Sequence, residues 1–153
     1  MIGITKILGW AANILLAAML IDGYWHLFDT GSHFRWGLGV VLYLPLVYLL
    51  PYFHLIGVAS RLKQEAKSDD ESATATFRLA VQLKNRLFWP VVIAVIMCIA
   101  GPVLGFLQTG GLIPAHVHGI YMLVYCAVHV VTWVRILFVL GLSAELSALD
   151  SSY

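Results

Sequence analysis

The sequence is poor in charged residues and in cysteine. Charged residues make up 11% of the 153 residues, whereas a typical soluble domain has about 25%. The two cysteines, Cys98 and Cys126, lie in apolar runs and lack the spacing of a redox or zinc motif. The formal net charge of +1 provides no basic surface for a nucleic acid, so we expect no nucleic-acid partner.

The sequence also lacks the common catalytic motifs. It contains no glycine-rich phosphate loop, no GxSxG and no HExxH, and no apolar run carries a pair of carboxylates. These absences exclude the best-known hydrolase and nucleotide-binding signatures. They leave open whether the protein is an enzyme.

Long apolar runs are what the sequence has in excess. Apolar residues make up 61% of the chain and fall into four runs, at residues 7–28, 36–59, 88–107 and 115–140. Each run has about the 20 residues that a membrane-spanning helix needs. The first and second runs, and the third and fourth, are separated by short polar joints that force antiparallel neighbours. The sequence therefore predicts an all-α fold, a single integral membrane domain over residues 1–153 formed by a four-helix bundle of two transmembrane hairpins.

The one long polar stretch lies between the hairpins, at residues 60–87. Its second half, residues 76–87, repeats apolar residues at helical spacing with basic residues between them. This pattern is typical of an amphipathic helix that lies along a membrane surface. We therefore expect a polar loop over residues 60–87 that contains a surface helix and leads into the third span.

The basic residues predict the orientation of the bundle. If the four runs span a membrane, eight of the nine basic residues fall on one side and Arg35 falls on the other. The positive-inside rule then places both termini and the long loop in the cytoplasm. The eight residues are Lys6, Arg61, Lys63, Lys67, Arg78, Lys84, Arg86 and Arg135.

Histidines inside the spans are the first candidates for function, because polar residues are costly there. His118 and His129 are eleven residues apart, so both project from one face of the fourth helix, about 16 Å apart. By depth, His118 pairs with His26 near the outer side, and His129 pairs with His54 near the inner side. Two such pairs are what two b-type haems would need as axial ligands in a helical bundle. Two alternatives are a single haem bound by either pair, and no haem, with the histidines forming hydrogen bonds between helices.

A second interpretation concerns a metal site at the outer surface. Asp22, His33 and His116 all fall on the outer side of the predicted spans, close to His26 and His118. An aspartate with several histidines can bind copper, zinc or iron. Alternatively, Asp22 accepts hydrogen bonds from neighbouring helix ends or pairs with a protonated His26.

Three short segments carry a resemblance to other proteins. They are residues 53–57 (FHLIG), residues 83–90 (LKNRLFWP), and Gln108-Thr109-Gly110 followed by Pro114 and His118. In these segments the chain resembles a group of small four-helix bacterial membrane proteins. The resemblance implies the four-span topology and implies no activity.

Two functions follow from these observations as expectations. The first is a small subunit of a larger energy-transducing complex in the bacterial cytoplasmic membrane, which binds haem b through His26, His118, His54 and His129 and transfers electrons. The second is a cofactor-free accessory subunit that stabilises such a complex, with a surface metal-binding protein as a further alternative. The expected partners are the lipid bilayer, other membrane subunits and a quinone.

Overall fold

Four long helices form the protein in the computed structural model, which describes residues 1–25, 27, 29–66 and 71–150. Helix α1 covers Ile2–Trp25, α2 covers Thr30–Glu65, α3 covers Glu71–Thr109 and α4 covers Ala115–Asp150. Each helix is long and apolar enough to cross a membrane. The all-α fold with four such helices confirms that part of the sequence prediction.

The helices run antiparallel to their neighbours along the chain. Tyr43 of α2 donates a hydrogen bond to the carbonyl of Leu8 in α1, at 2.8 Å, and Tyr121 of α4 donates one to the carbonyl of Met97 in α3, at 2.5 Å. In both pairs the residue number rises along one helix while it falls along the other, as in a hairpin. The bundle therefore has a hairpin end, where α1 and α3 end and α2 and α4 begin. At its opposite end, the terminal end, α1 and α3 begin and α2 and α4 end.

The two diagonals of the bundle differ. Helices α2 and α4 contact each other across the centre, but α1 and α3 do not come into backbone contact anywhere in the described residues. The core lies mainly between α2, α3 and α4, where Leu44, Leu55, Leu87 and Ile136 are at most 2% exposed. The unbridged diagonal leaves room between α1 and α3.

Residues 60–87 differ from the sequence prediction. Helix α2 continues to Glu65 and α3 begins at Glu71, so residues 76–87 form the first turns of a continuous 39-residue helix. Part of this segment packs against α2, since Ala80 forms a small cluster with Ala59 and Leu62. Hydropathy detects where apolar residues stop, and lysine, arginine and glutamate are good helix formers that extend the helices beyond that point.

Both joints at the hairpin end have local sequences that stop one helix and start the next. Asp29 is the N-cap of α2 and accepts a hydrogen bond from the backbone N–H of Ser32, at 3.0 Å. In the other joint Gly111 adopts a φ of 71°, a left-handed conformation that favours glycine. These local sequences determine where the helices end and begin at the hairpin end.

Candidate functional site: a cavity at the hairpin end

A cavity of about 500 Å³ lies at the hairpin end, with walls from all four helices. It occupies the space between α1 and α3, where the bundle has no backbone contact. Glycines line it on every helix, and their lack of a side chain leaves space between the helices. The lining glycines are Gly23, Gly37, Gly101, Gly105 and Gly119.

The lining is mainly apolar, with polar side chains at the mouth. Leu44, Cys98 and Tyr125 lie at the deep end, and the polar residues lie near the helix ends. An apolar cavity of this size with a few polar groups at one side is the usual form of a small-molecule site. The polar and ionisable residues at the mouth are Asp22, Tyr24, Thr30, His33, Gln108, Thr109, His116 and His118.

Asp22 and His33 form the strongest polar contact in this cavity. Oδ2 of Asp22 lies 2.5 Å from Nδ1 of His33, across the joint between α1 and α2. Asp22 is 3% exposed, and the His33 side chain is 32% exposed. A carboxylate bonded to Nδ1 favours the tautomer with hydrogen on Nδ1, which leaves Nε2 as a hydrogen-bond acceptor. The pair can therefore accept a hydrogen bond, or a proton, from a hydroxyl group in the cavity.

The cap of α2 positions His33 for this contact. Ser32 donates to Asp29 through its backbone N–H and through its hydroxyl, the latter at 2.5 Å, and the backbone N–H of His33 bonds to the carbonyl of Asp29. His33 is therefore fixed on the first turn of α2. The side-chain and backbone hydrogen bonds from Ser32 hold the pKa of Asp29 below its usual value, so this cap is ionised at neutral pH.

His118 lies on the α4 side of the same cavity. A Cβ placed on Gly105 would lie 3.4 Å from Cε1 of His118, so this glycine lets the imidazole pack against the α3 backbone. Its Nδ1 atom is buried and has no hydrogen-bond partner within the part of the chain that the structure describes. His33 of α2 lines the same cavity, so the structure brings histidines from both hairpins to one cavity.

The predicted outer residues meet only in part. Asp22 and His33 are in contact, while His116 is exposed at the same cavity mouth. No group of three or more His, Cys, Asp or Glu side chains arranged to hold a metal ion occurs within residues 1–25, 27, 29–66 and 71–150. His26, the predicted partner of His118, lies outside the described residues.

The predicted inner pair is arranged differently from expectation. His129 is 1% exposed, and its Nδ1 lies 2.6 Å from the hydroxyl of Tyr48. The hydroxyl of Tyr48 also lies 3.1 Å from that of Tyr125. His54 is six residues after Tyr48, about 9 Å farther along α2 and on another face. The contact of His129 on α2 is thus Tyr48, and His129 is not among the residues that line the cavity.

Sequence reasoning missed Tyr48 and Tyr125. Both were counted with the apolar residues of their runs, yet their hydroxyls form a buried chain with His129 that begins at the deep end of the cavity. A signal was present in the sequence. Tyrosines of membrane helices concentrate at the interfaces, and these two lie in the interior of their runs.

No protein-family model, curated protein or solved structure matches this chain. The cavity must therefore be interpreted from its own geometry and chemistry.

Proposed function

We propose that this protein is a membrane-integral, quinol-binding subunit of a larger energy-transducing complex in the bacterial cytoplasmic membrane. The observation that carries this proposal is the Asp22–His33 pair, at 2.5 Å, on the wall of a mainly apolar cavity. A quinol has an apolar ring and tail with a hydroxyl at each end of the ring. Such a ligand needs an apolar site with a hydrogen-bond acceptor at one side.

Membrane insertion is supported by the surface of the bundle. Large apolar side chains cover its outside, among them Trp10 at 61%, Ile14 at 66% and Phe106 at 69% exposed. Exposing so large an apolar surface to water is unfavourable, whereas contact with lipid tails is not. The excess of basic residues at the terminal end favours an orientation with that end in the cytoplasm and the cavity on the opposite side.

The cavity suits a quinol head group in size and in polarity. Its volume of about 500 Å³ falls within the range of about 300–1,000 Å³ that small-molecule sites occupy. The apolar residues toward the bundle centre can contact a ring, and the polar groups lie near the membrane surface. A hydrophobic ligand dissolved in the bilayer would reach a site at this depth without crossing water.

Asp22 and His33 supply the polar recognition. With Nδ1–H of His33 donating to Asp22, Nε2 accepts a hydrogen bond from a quinol hydroxyl. The buried carboxylate stabilises the imidazolium that would form if the proton moved to His33. His118 can hold a second polar group of the ligand from the α4 side.

A binding measurement with matched variants tests the proposal. A short-tailed quinol is titrated into the protein in lipid nanodiscs, with protein-free nanodiscs to subtract partitioning into the lipid. We expect saturable binding that His33→Gln and Asp22→Asn each weaken about tenfold, because each removes one charge-assisted hydrogen bond. His54→Gln is the matched control on α2, and it should bind as the unmodified protein does. Absence of saturable binding, or equal affinity in all four proteins, would contradict the proposal.

Haem b is the second candidate ligand, and His118 is the observation that favours it. Its imidazole lines the cavity, where it packs beside Gly105. His118 would serve as one axial ligand, with His26 as the other in the predicted pair. The fit at the inner pair is poor, since His129 is bonded to Tyr48 and tightly packed.

Optical spectra separate the two candidates. The haem candidate requires a reduced-minus-oxidised haem band in the purified protein that is lost in His118→Ala and kept in His54→Ala. A protein that binds quinol and shows no such band is a quinol-binding subunit without haem. A band that survives His118→Ala excludes this residue as the axial ligand.

A further inference from the structure

A second, smaller groove lies between α3 and α4, farther toward the terminal end than the hairpin-end cavity. It has a volume of about 210 Å³ and is formed by Arg86 and Leu87 of α3 and by Arg135, Phe138 and Val139 of α4. We propose that this groove binds the phosphate group of an anionic phospholipid. The inference shares with the proposed function only the insertion of the bundle in a membrane.

The register of α3 and α4 places the two arginines at one level. Gly105 and His118 are in contact near the hairpin end. From there, nineteen residues lead back to Arg86 along α3 and seventeen lead forward to Arg135 along α4. At 1.5 Å per residue both lie about 27 Å from the hairpin-end contact. That distance is close to the thickness of the hydrocarbon core, about 30 Å, so both arginines fall near the opposite headgroup layer.

Among residues 1–25, 27, 29–66 and 71–150, no anion neutralises the positive charge of the groove. Arg86 and Arg135 are both exposed, and neither forms an ion pair or hydrogen bond with another described residue. Two guanidinium groups that share one groove repel each other, and an anion between them would remove that repulsion. Arginine is well suited to phosphate because its planar fork can donate two parallel hydrogen bonds.

The remaining groove residues fit a lipid. Leu87 and Val139 are at most 3% exposed and form an apolar floor, and Phe138 is 63% exposed and forms a wall. A phosphate with a hydrocarbon part can contact the arginines and the apolar floor together, whereas a free phosphate ion can use only the arginines. Basic pockets between membrane helices on the cytoplasmic side are a known form of anionic lipid site. We therefore infer that the groove binds a phospholipid rather than a free phosphate ion.

Lipid retention in native mass spectrometry tests the assignment. The full-length protein is equilibrated in detergent with equal amounts of phosphatidylglycerol and phosphatidylcholine. We expect selective retention of phosphatidylglycerol, weakened about fivefold by Arg86→Gln or Arg135→Gln and about twentyfold by the double variant, since each basic residue contributes a similar factor. Arg78→Gln, an exposed arginine on α3 outside the groove, is the matched control and should retain the lipid as the unmodified protein does.

Additional variants and a stability measurement distinguish loss of lipid binding from loss of folding. Arg86→Lys with Arg135→Lys preserves both charges and should retain more lipid than the double glutamine variant, and a thermal melt of each variant establishes that it is folded. Equal retention of both lipids, or unchanged phosphatidylglycerol retention in the folded double glutamine variant, would overturn the proposal. Displacement of the lipid by inorganic phosphate at millimolar concentration would also overturn it, because the groove would then recognise a free ion.

Discussion

The hairpin end and the terminal half of this bundle are built from the same four helices but are packed differently. In the terminal half, Leu83, Leu87 and Ile136 are at most 2% exposed. At the hairpin end, glycines on every helix and the open α1–α3 diagonal leave a cavity of about 500 Å³. The comparison indicates that the packed half supplies most of the stability, while the open half contains the cavity that we propose as a binding site.

The largest expected difference between the halves comes from a matched pair of isoleucines on α4. Ile136 is 0% exposed and Ile120, which lines the cavity, is 58% exposed. We expect Ile136→Ala to lower the free energy of unfolding by about 2–4 kcal/mol, and Ile120→Ala by less than about 1 kcal/mol. Unfolding of both variants in mixed micelles of mild detergent and SDS measures this. Similar losses at the two sites would contradict the division of the bundle into a packed and an open half.

Glycine substitutions sharpen the comparison. A Cβ on Gly9 would lie 1.8 Å from Nε1 of Trp133, a ring that is 8% exposed and has little room to move. We expect Gly9→Ala to cost about 1–3 kcal/mol in the same unfolding measurement. At the cavity, Gly105→Ala would place its Cβ at an ordinary 3.4 Å from His118, so we expect a change below about 1 kcal/mol. Gly57, with nothing within 4 Å, is the control; a loss at Gly57→Ala as large as at Gly9→Ala would show that helix glycines matter here for another reason.

A smaller effect is expected from the buried hydroxyl chain. Tyr48→Phe removes the hydroxyl that lies between Tyr125 and His129, and it leaves both ring nitrogens of His129 without a hydrogen-bond partner among the described residues. We expect this change to cost about 1–2 kcal/mol. Tyr43→Phe, which removes a half-buried bond to the carbonyl of Leu8, is the matched control and should cost less. The interpretation would fail if Tyr48→Phe were neutral.

The smallest expected effect is the loss of the Asp29 cap at low pH, at the hairpin end. The pKa of Asp29 is lowered from its usual value of 3.8 by its hydrogen bonds from Ser32. Because the folded-state pKa is lower than the unfolded one, the cap contributes its stability above the unfolded value and loses it as the pH falls through the folded value. NMR titration should find the Asp29 carboxyl below 3.8, with a higher value in Ser32→Ala. A titration at 3.8 or above in the unmodified protein would contradict the cap.

The sequence was sufficient to predict how many helices the protein has, but it was insufficient to predict where each helix begins and ends. Runs of apolar residues predicted four helices because apolar composition and helical length are both local properties. The start of α3 at Glu71 and the end of α2 at Glu65 were missed, since hydropathy is silent about charged residues that continue a helix and pack on a neighbour.

For the candidate site, the sequence could predict which residues lie close to one another but not which of them are in contact. Asp22, His33, His116 and His118 were all placed at one end from their positions near the ends of runs, and all four line the cavity. The contact between Asp22 and His33 could not be predicted, because it depends on the geometry of a joint between two helices. Depth alone paired His129 with His54, but rotation about α2 decides which side chain it meets, and that residue is Tyr48.

Photolabelling is the most direct test of a quinol site in the hairpin-end cavity. The protein in lipid vesicles is irradiated with an azidoquinone, with and without excess unlabelled quinol, and the labelled peptides are identified by mass spectrometry. The account predicts labels that the competitor removes and that are confined to peptides from the parts of the two hairpins that line the cavity, residues 16–44 and 98–125. Labels that persist under competition, or that concentrate on the packed segment around Leu83 and Leu87, would contradict it.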